Sequence, residues 1–79
     1  MKLIDGMIDK IKQMKLEQHK HELQRRVTKT IRNIEVDSQY LLDSSNFSDA
    51  IELLLDCIHY NCTIETKLLG KELREFMHL

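Results

Sequence analysis

Apolar residues recur along this chain at a spacing near 3.6, in three successive stripes, and no proline interrupts any of them. That spacing returns to one face of an α-helix turn after turn, whereas a strand needs alternation with period two. Strand-like alternation is sustained nowhere. Gly6 and Gly70 are the only glycines, so sharp turns are scarce too. The pattern predicts an all-α protein.

The last stripe is Ile51, Leu54 with Leu55, Ile58, Cys62, Glu65, Leu69, Leu73 and Phe76, and it predicts one helix over residues 49–78. The middle stripe is Leu16, Leu23, Val27, Ile31, Ile34, Ser38 and Leu41, giving a helix over residues 16–42. Ahead of it, Ile4, Met7 with Ile8, Ile11 and Met14 form another stripe, out of phase with the middle one by roughly 120°. The slip falls in the polar run Glu17-Gln18-His19-Lys20-His21. Two arrangements fit. Either one continuous or slightly kinked first helix changes the face it offers, or residues 2–15 form a separate arm. The absence of Gly and Pro at the slip favours the continuous helix, on the order of 60 Å long at 1.5 Å per residue.

The clearest break is Asp43-Ser44-Ser45-Asn46-Phe47-Ser48, read as a turn over residues 43–48. Ser, Asn and Asp favour turns and caps because their side chains compete for backbone hydrogen bonds. Ser45 or Ser48 is the expected N-cap, with Asp49 and Glu52 complementing the helix dipole behind it. A short polar connection makes the two helices antiparallel neighbours. In such a hairpin Ile51, Leu54, Leu55, Ile58, Leu69, Leu73 and Phe76 pack against Leu23, Val27, Ile31, Ile34 and Leu41. Glu65 then falls opposite Arg25 and Arg26. It either forms an interhelix ion pair with them or lies at the edge of the stripe in water.

A chain of 79 residues buries little apolar surface on its own. The hairpin is therefore expected to be completed as a bundle, by dimerisation or by a different partner. The expected partner-facing residues are Ile4, Ile8, Ile11 and Met14 in the arm, with Leu54, Ile58, Leu69, Leu73 and Phe76 on the hairpin. Charge supports association. Residues 1–36 carry a net +4 and residues 37–79 a net −5, and no Lys or Arg occurs between Asn33 and Thr66. Two such rods set antiparallel bring acid to base.

The sequence offers little for catalysis or metal binding. Cys57 and His59 diverge on a helix, and there is no Gly-rich phosphate loop. Asp56 with His59, His59 with Cys62, and Glu75 with His78 share a helix face in pairs, but a metal centre needs several such ligands to converge. Cys57 and Cys62, roughly 140° apart on one helix, read as small hydrophobes and not as a disulfide. No enzyme activity, cofactor or metal is expected. The N-terminus carries charge too early for a secretory segment, which with two unpaired thiols points to the cytoplasm. No apolar run is long enough for a membrane span. The alternative function is a small nucleic-acid-binding regulator using the basic helix Lys10–Arg32, where Lys and Arg attract phosphate. Against it stand the acidic second half and the lack of an aromatic in the basic segment.

Asp43, the aromatic Phe47 four residues on, the run Leu53-Leu54-Leu55 and Ile58 resemble the small co-chaperones of type III secretion needle subunits. The likeness covers roughly residues 38–60; the first helix is longer and more basic than that pattern. The resemblance implies a cytoplasmic helper that pairs with a helical-repeat chaperone to hold an aggregation-prone secreted subunit monomeric. By that likeness the exposed stripe of the hairpin binds the second chaperone. Together the residues indicate a non-catalytic helical interaction protein: a co-chaperone, an adaptor or a small inhibitor.

Overall fold

The computed structural model describes the backbone of residues 2–78 and the side chains of residues 6–78, and every described element is helical. Helix α1 runs over Lys2–Val36, α2 over Ser44–His59 and α3 over Thr63–Met77, with a single 3-10 turn at Tyr40–Leu42 between α1 and α2. At 1.5 Å per residue the 35 residues of α1 span about 52 Å. They set the long axis of a rod measuring 55 × 20 × 18 Å. The first helix is thus continuous through the polar run at residues 17–21, and residues 2–15 are its N-terminal portion.

α1 ends where side chains begin to satisfy the backbone. Asp37 closes a turn, its Oδ1 accepting from the Gln39 N–H at 2.9 Å, and the 3-10 turn that follows drops Leu41 into the core. The α2 N-cap is Asp43, whose Oδ1 accepts from the Ser45 N–H at 2.8 Å. Neither Ser45 nor Ser48 caps the helix. A carboxylate both accepts the orphan N–H and complements the helix dipole, so Asp43 can start the helix at Ser44, five residues before the expected position. The Asn46 side-chain amide donates to the Tyr40 carbonyl at 3.1 Å and ties the helix start to the 3-10 turn. The turn therefore occupies residues 37–43, not 43–48.

The single helix expected over 49–78 is two helices. Asn61 stands at φ 58°, in the left-handed region. The Cys62 N–H reaches back to the Cys57 carbonyl at 2.8 Å, and the Asn61 N–H to the Ile58 carbonyl at 3.1 Å. These nested bonds are the Schellman motif that closes a helix, with Asn in the position glycine most often takes. The two positions that flank the motif, Cys57 and Cys62, are both buried. Asn61→Gly should leave the thermal midpoint within a few degrees or raise it. Asn61→Val should cost about 1–2 kcal/mol, since a β-branched residue is strained at positive φ. Circular-dichroism melts of the two variants measure this directly.

The break turns a two-helix hairpin into a three-helix head. α1 contributes Leu23 and Val27, α2 contributes Ala50, Leu53 and Cys57, and α3 contributes Leu69 and Leu73; Leu41 and Cys62 seal the connections. Ile31, Ile34, Ile51, Leu54 and Phe76 pack around this core as expected. Leu55 and Ile58 do not: both are more than half exposed. Their assignment inward assumed one helical phase running from residue 51 to residue 76. The Asn61 turn resets that phase, and the inner face of α2 is the row Ala50, Leu53 and Cys57.

Candidate interaction surface

The head closes at the level of His19, whose ring packs against Tyr60 at a tilt of 58° with centroids 4.4 Å apart. N-terminal to that contact, every described side chain from Gly6 to His19 is exposed. This part of α1 is a lone helix about 25 Å long, from its 17 residues between Lys2 and Gln18. Strong helix formers keep it regular, yet an isolated helix of this length is marginal without a packed face.

The arm has a face to pack. Met7, Ile8, Ile11 and Met14 are 44–63% exposed. Four large apolar side chains on one stripe are more than a scatter of surface residues, and such a patch marks a contact. Ile4, expected on the same stripe, lies outside the described side chains. At 100° per residue, the stripe is centred roughly 150° around α1 from the face that grips the head (Leu23, Val27, Ile34). It points away from α2 and α3, so the chain cannot fold its own head over it.

The hairpin offers a second surface. Ile51, Leu54 and Ile58 of α2 face Gly70, Leu73 and Met77 of α3 across an open groove of about 360 Å³, with Lys67 and Arg74 on its α3 side. A Cβ added at Gly70 would meet Leu54 at 4.0 Å, an ordinary contact, so the glycine is not required for helix approach. Of the residues expected to face a partner here, Ile58 is open, and Leu54 and Phe76 are half-buried. Leu69 and Leu73 are inside the head, at 0% and 1% exposure. They hold α3 to the core, and Leu73 reaches only the floor of the groove.

Among the described residues Glu65 makes no ion pair with Arg25 or Arg26. Arg25 instead meets Glu22 of its own helix at 3.4 Å, in the open. The expected pairing assumed an unbroken last helix. With the chain reversing at Asn61, Glu65 sits half-buried in the first turn of α3, where negative charge suits the helix dipole.

No three His, Cys, Asp or Glu side chains converge as metal ligands among the described residues. His59 packs edge-on against Tyr60 at 4.8 Å, and His78 ends α3 in the left-handed conformation. Cys57 and Cys62 are free thiols in the core. Burial, reinforced by Cys62, Glu65 and Asp56 and opposed by Arg26, pushes the Cys57 thiol from 9.0 up to about 11. A thiol held protonated is a poor nucleophile. No helix among the described residues is long and apolar enough to cross a membrane.

Sequence reasoning missed the inner row of α2 and the tilted contact of Tyr60 with His19. The signal for the first was present as a 3-3-4 rhythm, Phe47, Ala50, Leu53 and Cys57. Comparison with protein-family models, with curated proteins and with solved structures finds no match to this chain.

Proposed function

We propose that this protein is a non-catalytic helical interaction module, an adaptor or co-chaperone that docks through the N-terminal arm of α1. One observation carries the reading. The head buries its own core, while the arm holds an apolar stripe turned away from every other element of the chain. Helix-on-helix packing along such a stripe is a standard mode of protein recognition, with flanking charge setting orientation and encounter rate. The resemblance at residues 38–60 supports a helper role in the cytoplasm. There the hairpin's outer groove, with Ile58 at its rim, would receive a second helical protein.

A photoreactive residue at position 11 tests the docking role. Irradiation of cells making the protein should give a discrete adduct. Met7→Asp with Met14→Asp should abolish it, and because both side chains are exposed, the head should stay folded. Absence of any adduct in the unmodified background overturns the reading.

A further inference from the structure

We infer that the arm's stripe pairs, antiparallel, with the arm of a second copy of this chain. The inference rests on the arm being a docking helix and names its occupant. Closure is the first argument. The stripe faces away from the head on the same helix. A copy that received this arm in its α2–α3 groove could not return its own arm to the first copy's groove. Each contact of that kind would leave one arm and one groove open, so the assembly could not close at two copies and would run on as a chain or a larger ring. Arm against arm closes at two copies, with the heads on opposite outer sides and out of each other's way.

Charge supplies the second argument and chooses the direction. Read as heptads, the stripe places Ile11 and Gln18 at a, Met7 and Met14 at d, Ile8 and Lys15 at e, and Lys10 and Glu17 at g. In an antiparallel pair that layers Ile11 on the partner's Met14, Lys10 lies beside the partner's Glu17, and symmetry repeats the contact. The Lys15 stem then covers the partner's Ile8. A parallel pair sets Lys10 against the partner's Lys15 twice, and like charges at those positions oppose pairing. Two arms overlapping over their length bury on the order of 1,000 Å², at the low end of specific interfaces, so the pairing is expected to be reversible and to depend on concentration.

Sedimentation equilibrium of the purified full chain, carried up to about 100 μM, reads the result. The 9.4 kDa chain should shift toward twice its mass with rising concentration. Ile11→Asp should hold it at one copy with an unchanged melting curve. Glu17→Lys should weaken the pair about tenfold or more, and Lys10→Glu added to it should restore pairing. A parallel pair would instead be strengthened by Lys10→Glu alone. A single-copy mass across the whole range, or indifference to Glu17→Lys, overturns the inference. The photo-adduct separates this from the wider proposal. A mass other than twice the chain keeps the arm as a docking helix and rejects self-pairing, whereas no adduct rejects both.

Discussion

Leu69→Ala should lose a large share of the fold's stability, while Ile58→Ala should change it by no more than about 0.5 kcal/mol. Leu69 is wholly buried, and Ile58 is 52% exposed on the outer face of α2. Truncating a buried leucine removes the transfer energy of its methyl groups and leaves a cavity, together about 2–5 kcal/mol. At 0.05–0.15 kcal/mol per residue, a chain of this size has about 4–12 kcal/mol in all. The thermal midpoint should therefore fall by at least about 10 °C, and at the upper end the variant is unfolded at room temperature. The pair of variants discriminates sharply. In a two-helix hairpin with one phase from residue 51 to residue 76, both leucine and isoleucine lie on the packed face and both truncations are costly. In the three-helix head only one is. Equal losses in the two circular-dichroism melts would reject the turn at Asn61 and the head built on it.

That turn also marks where the sequence stopped being legible. Leu23, Val27, Leu69 and Leu73 could be placed in the core because each lies within a helix whose phase is continuous with its neighbours. The arm's stripe was visible for the same reason. So was its misalignment with Leu23 and Val27, since phase along one unbroken helix needs only counting. Leu55 and Ile58 were misplaced because the count crossed a helix end that neither Gly nor Pro announced. Asparagine tolerates the left-handed conformation because its short polar side chain bonds locally, and Tyr60-Asn61-Cys62 carried that weaker signal. The early start of α2 was missed for a related reason. Five residues from Asp43 to Ser48 have capping side chains, and only the geometry of the 3-10 turn before them selects Asp43. The Glu65 pairing failed as a consequence, because the register across the hairpin depended on where the chain reversed.

The same structure explains how a short chain can hold a free arm. A core of nine buried residues among those described gathers against α1 from Leu23 onward and nucleates that helix. Once α1 is started, each further residue toward the N-terminus adds one backbone bond without a new nucleation cost. The arm is thus a helix by propagation, and its apolar stripe is presented in register before any partner arrives. Preorganisation of this kind lowers the entropy lost on docking.

Cys57 links the head's packing to pH. Its thiol stands at about 11 in the folded protein, chiefly because burial disfavours the thiolate, and secondarily because Cys62, Glu65 and Asp56 lie near. Cys62 is raised as well, by burial and then by Glu65. In the unfolded chain these thiols ionise near 9.0, the ordinary value. A folded-state value above the unfolded one means that the folded protein holds the proton more tightly. The associated stability is complete below pH 9 and is lost as pH rises toward 11. For Cys57 the loss is on the order of 2 kcal/mol. Other effects of alkaline pH are common to both chains, so the useful quantity is a difference between variants. Urea midpoints of the native chain and of Cys57→Ala should both fall between pH 8 and pH 10.5, and the fall should be clearly smaller in Cys57→Ala. Labelling with a thiol reagent at pH 8 should be at least about a hundredfold slower in the folded protein than in urea, because the buried sulfur reacts only when the head opens. Equal pH dependence in the two chains, together with rapid labelling under native conditions, would place Cys57 at the surface. It would also remove the row Ala50, Leu53 and Cys57 from the core on which α1 and its arm are seated.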